Sequence, residues 1–147
     1  MITLAIDVGK SSGWAIRDQH GFQCGGFQFE SLAQYKSKVT GLLNTYSPDV
    51  VVTGKPVRYY RTLVAHSKYQ AIVELCCEMQ EVPYVEVVDS TCKKLISGGG
   101  KCDKECIKKW AVSKDPEVIP PFPKKMDDAY DAMMFAEFIS KNAVNVV

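Results

Sequence analysis

The chain has 147 residues, 46% apolar and 24% charged, with a formal net charge of +1. This length suits one domain, expected over residues 1–147, and excludes two full-sized lobes around a nucleotide cleft. The near-zero charge, taken as a sum, argues against a nucleic-acid binder, but a sum hides a distribution. No apolar run approaches the ~20 residues of a membrane span. The stretch Met1–Asp7 lacks a basic region and turns acidic, unlike a secretory signal. Six cysteines, at 24, 76, 77, 92, 102 and 106, include no C-x-x-C pair. They read as reduced thiols of a cytoplasmic or equivalent reducing compartment. With only His20 and His66 beside them, a structural zinc site is weakly supported.

Residues 2–6 read as a buried strand ending at Asp7. Gly9, Ser11, Ser12 and Gly13 mark a tight turn before a second strand at Trp14–Ile16. Phe22–Phe29 is a third strand, with Gly25 and Gly26 marking a bend or bulge. Ser31 is a candidate N-cap for a helix over 32–45, whose Leu32, Tyr35, Val39, Leu42 and Leu43 follow helical period. Asp49–Thr53 is continuously apolar, as in a buried parallel strand. Leu63, Val64, Ala71, Ile72, Leu75, Cys76 and Met79 suit an amphipathic helix over 62–80.

Pro83 introduces a strand over 84–88. Asp89 and Ser90 are candidate caps for a short helix over 91–96, and Ser97–Gly100 is a loop. Asp103 is a candidate cap for a helix over 104–112. Four prolines make 115–125 an irregular connector, and a last helix covers 127–142. The order implies an α/β fold with a mixed five-stranded sheet. Its first three strands are antiparallel, its last two parallel, and helices flank it.

Two acidic features carry chemistry. Asp7 ends the first strand, and Asp127, Asp128 and Asp131 open the last helix. Asp128 and Asp131, at i and i+3, share a face. Converging carboxylates repel unless cations lie between them. Their hard oxygens suit Mg²⁺ or Mn²⁺. Two such ions about 3.5–4 Å apart would clamp both oxygens of an in-line phosphodiester displacement. The plainer account is that acids in a first turn complement the helix dipole, and for Asp127 alone that account is preferred.

Four segments in order resemble the RuvC-like Holliday-junction resolvases, which have an RNase H-like fold. Leu4–Ile16 resembles the family's first hairpin, with its Asp and turn glycines. Asp49–Pro56 resembles the fourth strand. Lys94–Ile107 is similar to the glycine loop followed by a lysine-bearing helix. Asp128-Ala-Tyr-Asp-Ala132 matches the D-A-x-D-A helix start. The resemblance implies a Mg²⁺- or Mn²⁺-dependent endonuclease, with two ions per site, that nicks four-way DNA junctions as a homodimer. Asp7, Asp128 and Asp131 would be metal ligands. Lys101 and Lys104 would lie near the cleaved strand, with Lys104 assisting catalysis, and the helix within 62–80 would contribute dimer contacts.

One position departs from the family. A Glu expected at the end of the fourth strand is Gly54, beside Lys55. Three readings stay open: a natural site with weakened activity, a deliberate replacement, or substitution by Glu74 or Glu78 on the following helix. The alternative function is an impaired module that binds branched DNA without cutting. A small ATP-binding relative of the actin and sugar-kinase group rests only on Asp7-Val-Gly9 and its hairpin, and the short chain disfavours it.

Split by segment, the charge is uneven. Residues 55–70 hold Lys55, Arg58, Arg61 and Lys68 with no acid, a local +4. Residues 91–125 hold nine Lys against four acids, a local +5. Phosphate contacts are expected from Lys55, Arg58, Arg61, Lys93, Lys94, Lys101 and Lys108. Tyr59 and Tyr60 are placed to stack on unpaired bases.

Overall fold

The computed structural model describes residues 1–56 and 60–142, and of residues 60–62 the backbone alone. The three expected strands at the start are β1 (Thr3–Asp7), β2 (Ser11–Asp18) and β3 (Gly21–Gln28), an antiparallel meander. The chain then crosses through α1 (Leu32–Tyr46) to β4 (Val50–Gly54), which lies parallel to β1. A second crossover, α2 (Tyr60–Met79), leads to β5 (Tyr84–Val87), parallel to β4. Then follow α3 (Asp89–Ser97), α4 (Lys104–Ser113), β6 (Glu117–Val118) and α5 (Met126–Lys141). The sheet order is β5-β4-β1-β2-β3-β6.

The strands alternate sides with period two, and this sorts the core into two layers. Leu4, Ile6, Val51 and Ile16 pack against Tyr35, Val39, Leu43, Val73, Cys76 and Cys77 of α1 and α2. Ala5, Ala15, Val50, Val52 and Val87 pack against α3, α4 and α5. Ala129, Ala132 and Ala136 are fully buried, so α5 lies close on the sheet.

The sheet has six strands among the described residues, not five. The extra strand falls in the connector over 115–125, where Gln23 and Cys24 of β3 pair with Glu117 and Val118. Ile119 N–H also donates to the Cys24 carbonyl at 2.7 Å. Gly25 and Gly26 form no bulge, since the β2–β3 register runs through them without a break. They admit the connector instead. A β-carbon on Gly25 would lie 2.8 Å from the Ile119 carbonyl oxygen and from the Trp14 ring.

Gly13 likewise lies within β2, which begins at Ser11. Ser31 and Asp103 cap as expected, their side chains accepting from the N–H groups of Gln34 and Cys106. Asp89 does not cap. The cap position of α3 is Val88, and Asp89 lies in the first turn. On α2 the apolar residues fall on both sides. Val73, Cys76 and Cys77 are buried, whereas Leu63, Val64, Leu75 and Met79 are 37%, 46%, 48% and 63% exposed. Among the described residues, no helix is long and apolar enough to cross a membrane.

Candidate active site

The side-chain alternation that puts Leu4 and Ile6 against α1 and α2 turns Asp7 toward α5. Asp7 is opposite Gly13 in the β1–β2 register. Gly13 has no side chain, and the backbone of Asp128 and Ala129 rests directly on it. Any β-carbon there would overlap the first turn of α5 and push it off the sheet. This contact sets Asp128 beside Asp7. Asp131 follows one turn later on the same face.

The electrostatics fit this convergence. Asp7 is pushed well above the usual carboxylate range, first by burial and then by Asp131, Asp128 and Asp89. The Asp7 and Asp128 carboxyl groups are close enough to act on one another, which raises Asp7 and lowers Asp128. Asp131 is pushed up to about 7, by burial first and then by Asp89. Asp128 is raised by burial and Asp127, with Lys125 and Lys104 pulling it back.

Among the described residues, no three acidic, histidine or cysteine side chains stand close enough to enclose an ion. The donor chemistry nevertheless fits a hard divalent cation. The donors are carboxylate oxygens alone, and a cation would relieve the repulsion among them.

The other sequence-derived residues are placed unevenly. Lys104 lies 3.7 Å from Asp127 at the edge of the carboxylates, with its side chain 86% exposed. Lys94 on α3, Lys101 in the loop after it and Lys108 on α4 are exposed. Lys55 is exposed just past β4. Lys93 is held 2.7 Å from Asp89. Arg58 and Tyr59 lie outside the described residues, as do the side chains of Tyr60 and Arg61. Glu74 and Glu78 are exposed on α2, which packs on the face of the sheet away from Asp7. They are not brought to the carboxylates.

Two findings were not expected. Cys102 and Cys106 are joined as a disulfide across the first turn of α4. They are therefore not the free thiols read from the sequence, whereas Cys24, Cys76, Cys77 and Cys92 are free and buried. The second is Asp89, a carboxylate that acts on both Asp7 and Asp131. Its signal in the sequence was its place just beyond a parallel strand, masked by its resemblance to a helix cap.

Gly54 projects toward α5 as Asp7 does, and a β-carbon there would lie 2.9 Å from the tip of the buried Phe135 ring. Gly54→Ala is expected to lower stability by about 1–3 kcal/mol, as overpacking does. Chemical denaturation would measure it. An unchanged midpoint would show that Phe135 yields at no cost.

No protein-family model matches the chain. The crossover junction endodeoxyribonuclease RuvC of Gloeobacter violaceus is 31% identical over 106 residues. That match takes in 71% of this chain but spans only 60% of the relative's length. RuvC of T. thermophilus, in complex with a Holliday junction substrate, has a TM-score of 0.79 at 14% identity, covering 97% of this chain and 94% of that one. The fowlpox virus resolvase, in complex with substrate Holliday junction DNA, has a TM-score of 0.62 at 15% identity, covering 98% and 99%. These structures establish the likeness of fold. Together with the sequence relative, they carry the resemblance to the RuvC-like resolvases.

Proposed function

We propose that the chain is a structure-selective DNA endonuclease that resolves four-way junctions by metal-assisted phosphodiester hydrolysis. The observation that carries this is the placing of Asp7, Asp128 and Asp131 on one face of the sheet, with all three carboxylates raised, first by burial and then by neighbouring acids. Solved neighbours of the same fold are in complex with Holliday junction DNA. Asp7, Asp128 and Asp131 would hold Mg²⁺ or Mn²⁺, two ions by the family's pattern. The ions would supply Lewis acidity at the scissile phosphate and a nucleophilic water.

The chain's own groups do the rest. The three aspartates bind cations as carboxylates, so cations compete with protons for them and binding weakens as pH falls. Lys104, at their edge, places a mobile positive charge where the phosphate gains charge. Lys93, Lys94, Lys101 and Lys108, with Lys55 beyond β4, supply phosphate contacts that position the strand without reading sequence. Arg58, Tyr59, Tyr60 and Arg61 would add phosphate contacts and, through the tyrosines, stacking on unpaired bases.

A homodimer is part of the proposal, since one domain over 1–147 carries one such site and a junction is cut at two strands. Its support is the row Val64, Ala71, Leu75 and Met79, exposed along α2 among the described residues. The reading as a non-cutting module is not favoured, because the three aspartates are all retained and gathered.

The test is a labelled four-way junction incubated with the protein and Mg²⁺ or Mn²⁺, beside a linear duplex of the same sequence. Paired nicks in the junction alone are expected, leaving 5′-phosphate and 3′-hydroxyl ends. Binding without metal-dependent nicking would overturn the reading.

A further inference from the structure

We propose that Asp89 is the fourth carboxylate of the cation site and takes the place of the acid that Gly54 lacks. The inference rests on the nuclease reading above and names one of its ligands.

Strand alternation places it. Val85 and Val87 of β5 pack in the α5-side layer. Val88 is still extended, with φ −85° and ψ 123°. The next residue, Asp89, therefore leaves the strand on the side that Asp7 faces. Val87 pairs with Gly54, and the Lys55 N–H donates to the Val87 carbonyl at 2.8 Å. Asp89 thus stands one strand over from position 54 and two residues beyond it, at the same end of the sheet. Its charge acts on Asp7 and on Asp131, which come from different elements.

Two further observations set Asp89 apart from a helix-end acid. First, position 54 bears no acid, and a β-carbon there would lie 2.9 Å from the Phe135 ring, so an acid that completes this site comes from another position. Second, a positive charge already sits at the spot. The Lys93 ammonium lies 2.7 Å from Asp89 and is also drawn by Asp131. One cationic group thus already serves both carboxylates. With Asp89 the site carries four acids, the number the family pattern has with its Glu, and their charge balances two divalent ions.

The competing account is that Asp89 and Lys93 form an i,i+4 pair that merely steadies α3. Mn²⁺ binding to the DNA-free protein separates the two, followed by electron paramagnetic resonance and calorimetry. Asp89→Asn is expected to weaken Mn²⁺ binding at least tenfold. Asp89→Glu should stay within about threefold of the parent. Lys93→Gln, which breaks the same pair but keeps the carboxylate, should bind Mn²⁺ as tightly or tighter. Lys93→Gln weakening Mn²⁺ as much as Asp89→Asn would overturn the proposal in favour of the helix pair. Asp89→Asn binding Mn²⁺ like the parent would overturn it too. If that variant still needs Asp7 to cut junctions, the nuclease reading survives alone. A parent protein that binds no Mn²⁺ at millimolar concentration would overturn both.

Discussion

Asp7→Asn is expected to lower junction cleavage by at least about 10³-fold, a loss of about 4 kcal/mol of transition-state stabilisation. Junction affinity in EDTA should stay within about threefold of the parent. Asn keeps the shape of the side chain and removes the charge that holds a cation. Its amide can also donate a hydrogen bond to the neighbouring Asp128 carboxylate, so the fold is not the casualty.

The same substitution should raise the thermal midpoint at pH 8 in EDTA by a few degrees. A charge on Asp7 is disfavoured by burial and by Asp131, Asp128 and Asp89, and Asn carries none. Opposite signs on activity and stability mark a group retained for chemistry at a cost to the fold. Cleavage within tenfold of the parent would remove Asp7 from the mechanism. A marked fall in stability would make it structural.

The parts of the site legible in the sequence were those fixed by local spacing. Asp128 and Asp131 share a face because three residues make about one helical turn, and Asp7 ends a strand bounded by apolar residues. The parts that depend on which strand lies beside which were hidden. Asp89 looks like a cap in one dimension. Only the β4–β5 register and the parity of β5 carry it to the side that Asp7 faces.

The glycines show the same limit. Gly13, Gly25 and Gly26 read as turn or bulge punctuation, yet they sit inside paired strands and make room for α5 and for the connector over 115–125. β6 is two residues long in a proline-rich stretch, below any periodicity. On α2, apolar residues on both sides left the buried side undetermined until α1 was seen to cover Val73, Cys76 and Cys77.

Without divalent cations, stability is expected to fall as pH rises from about 4 to about 7, the reverse of a protein held by paired carboxylates. Asp131 is raised from 3.8 to about 7, and Asp7 and Asp128 shift in the same direction. Between the unfolded and folded values, the folded chain binds more protons than the unfolded one, so each rise in pH favours unfolding. The contribution is fully present below the unfolded value and gone above the folded one. His66 works the other way, since burial lowers its pKa from 6.5. It offsets part of the slope just below 6.5, one group against three. Asp131→Asn should flatten the slope while leaving the His66 contribution in place.

Mg²⁺ should reverse the trend, because it binds the deprotonated folded site and not the unfolded chain. At 100 times its dissociation constant it adds about 2.7 kcal/mol, and it does so only where the aspartates have ionised. The thermal midpoint at about 10 mM Mg²⁺ should therefore rise from pH 6 to pH 8 while that in EDTA falls. Parallel curves with and without Mg²⁺ would mean that the raised carboxylates do not receive the cation.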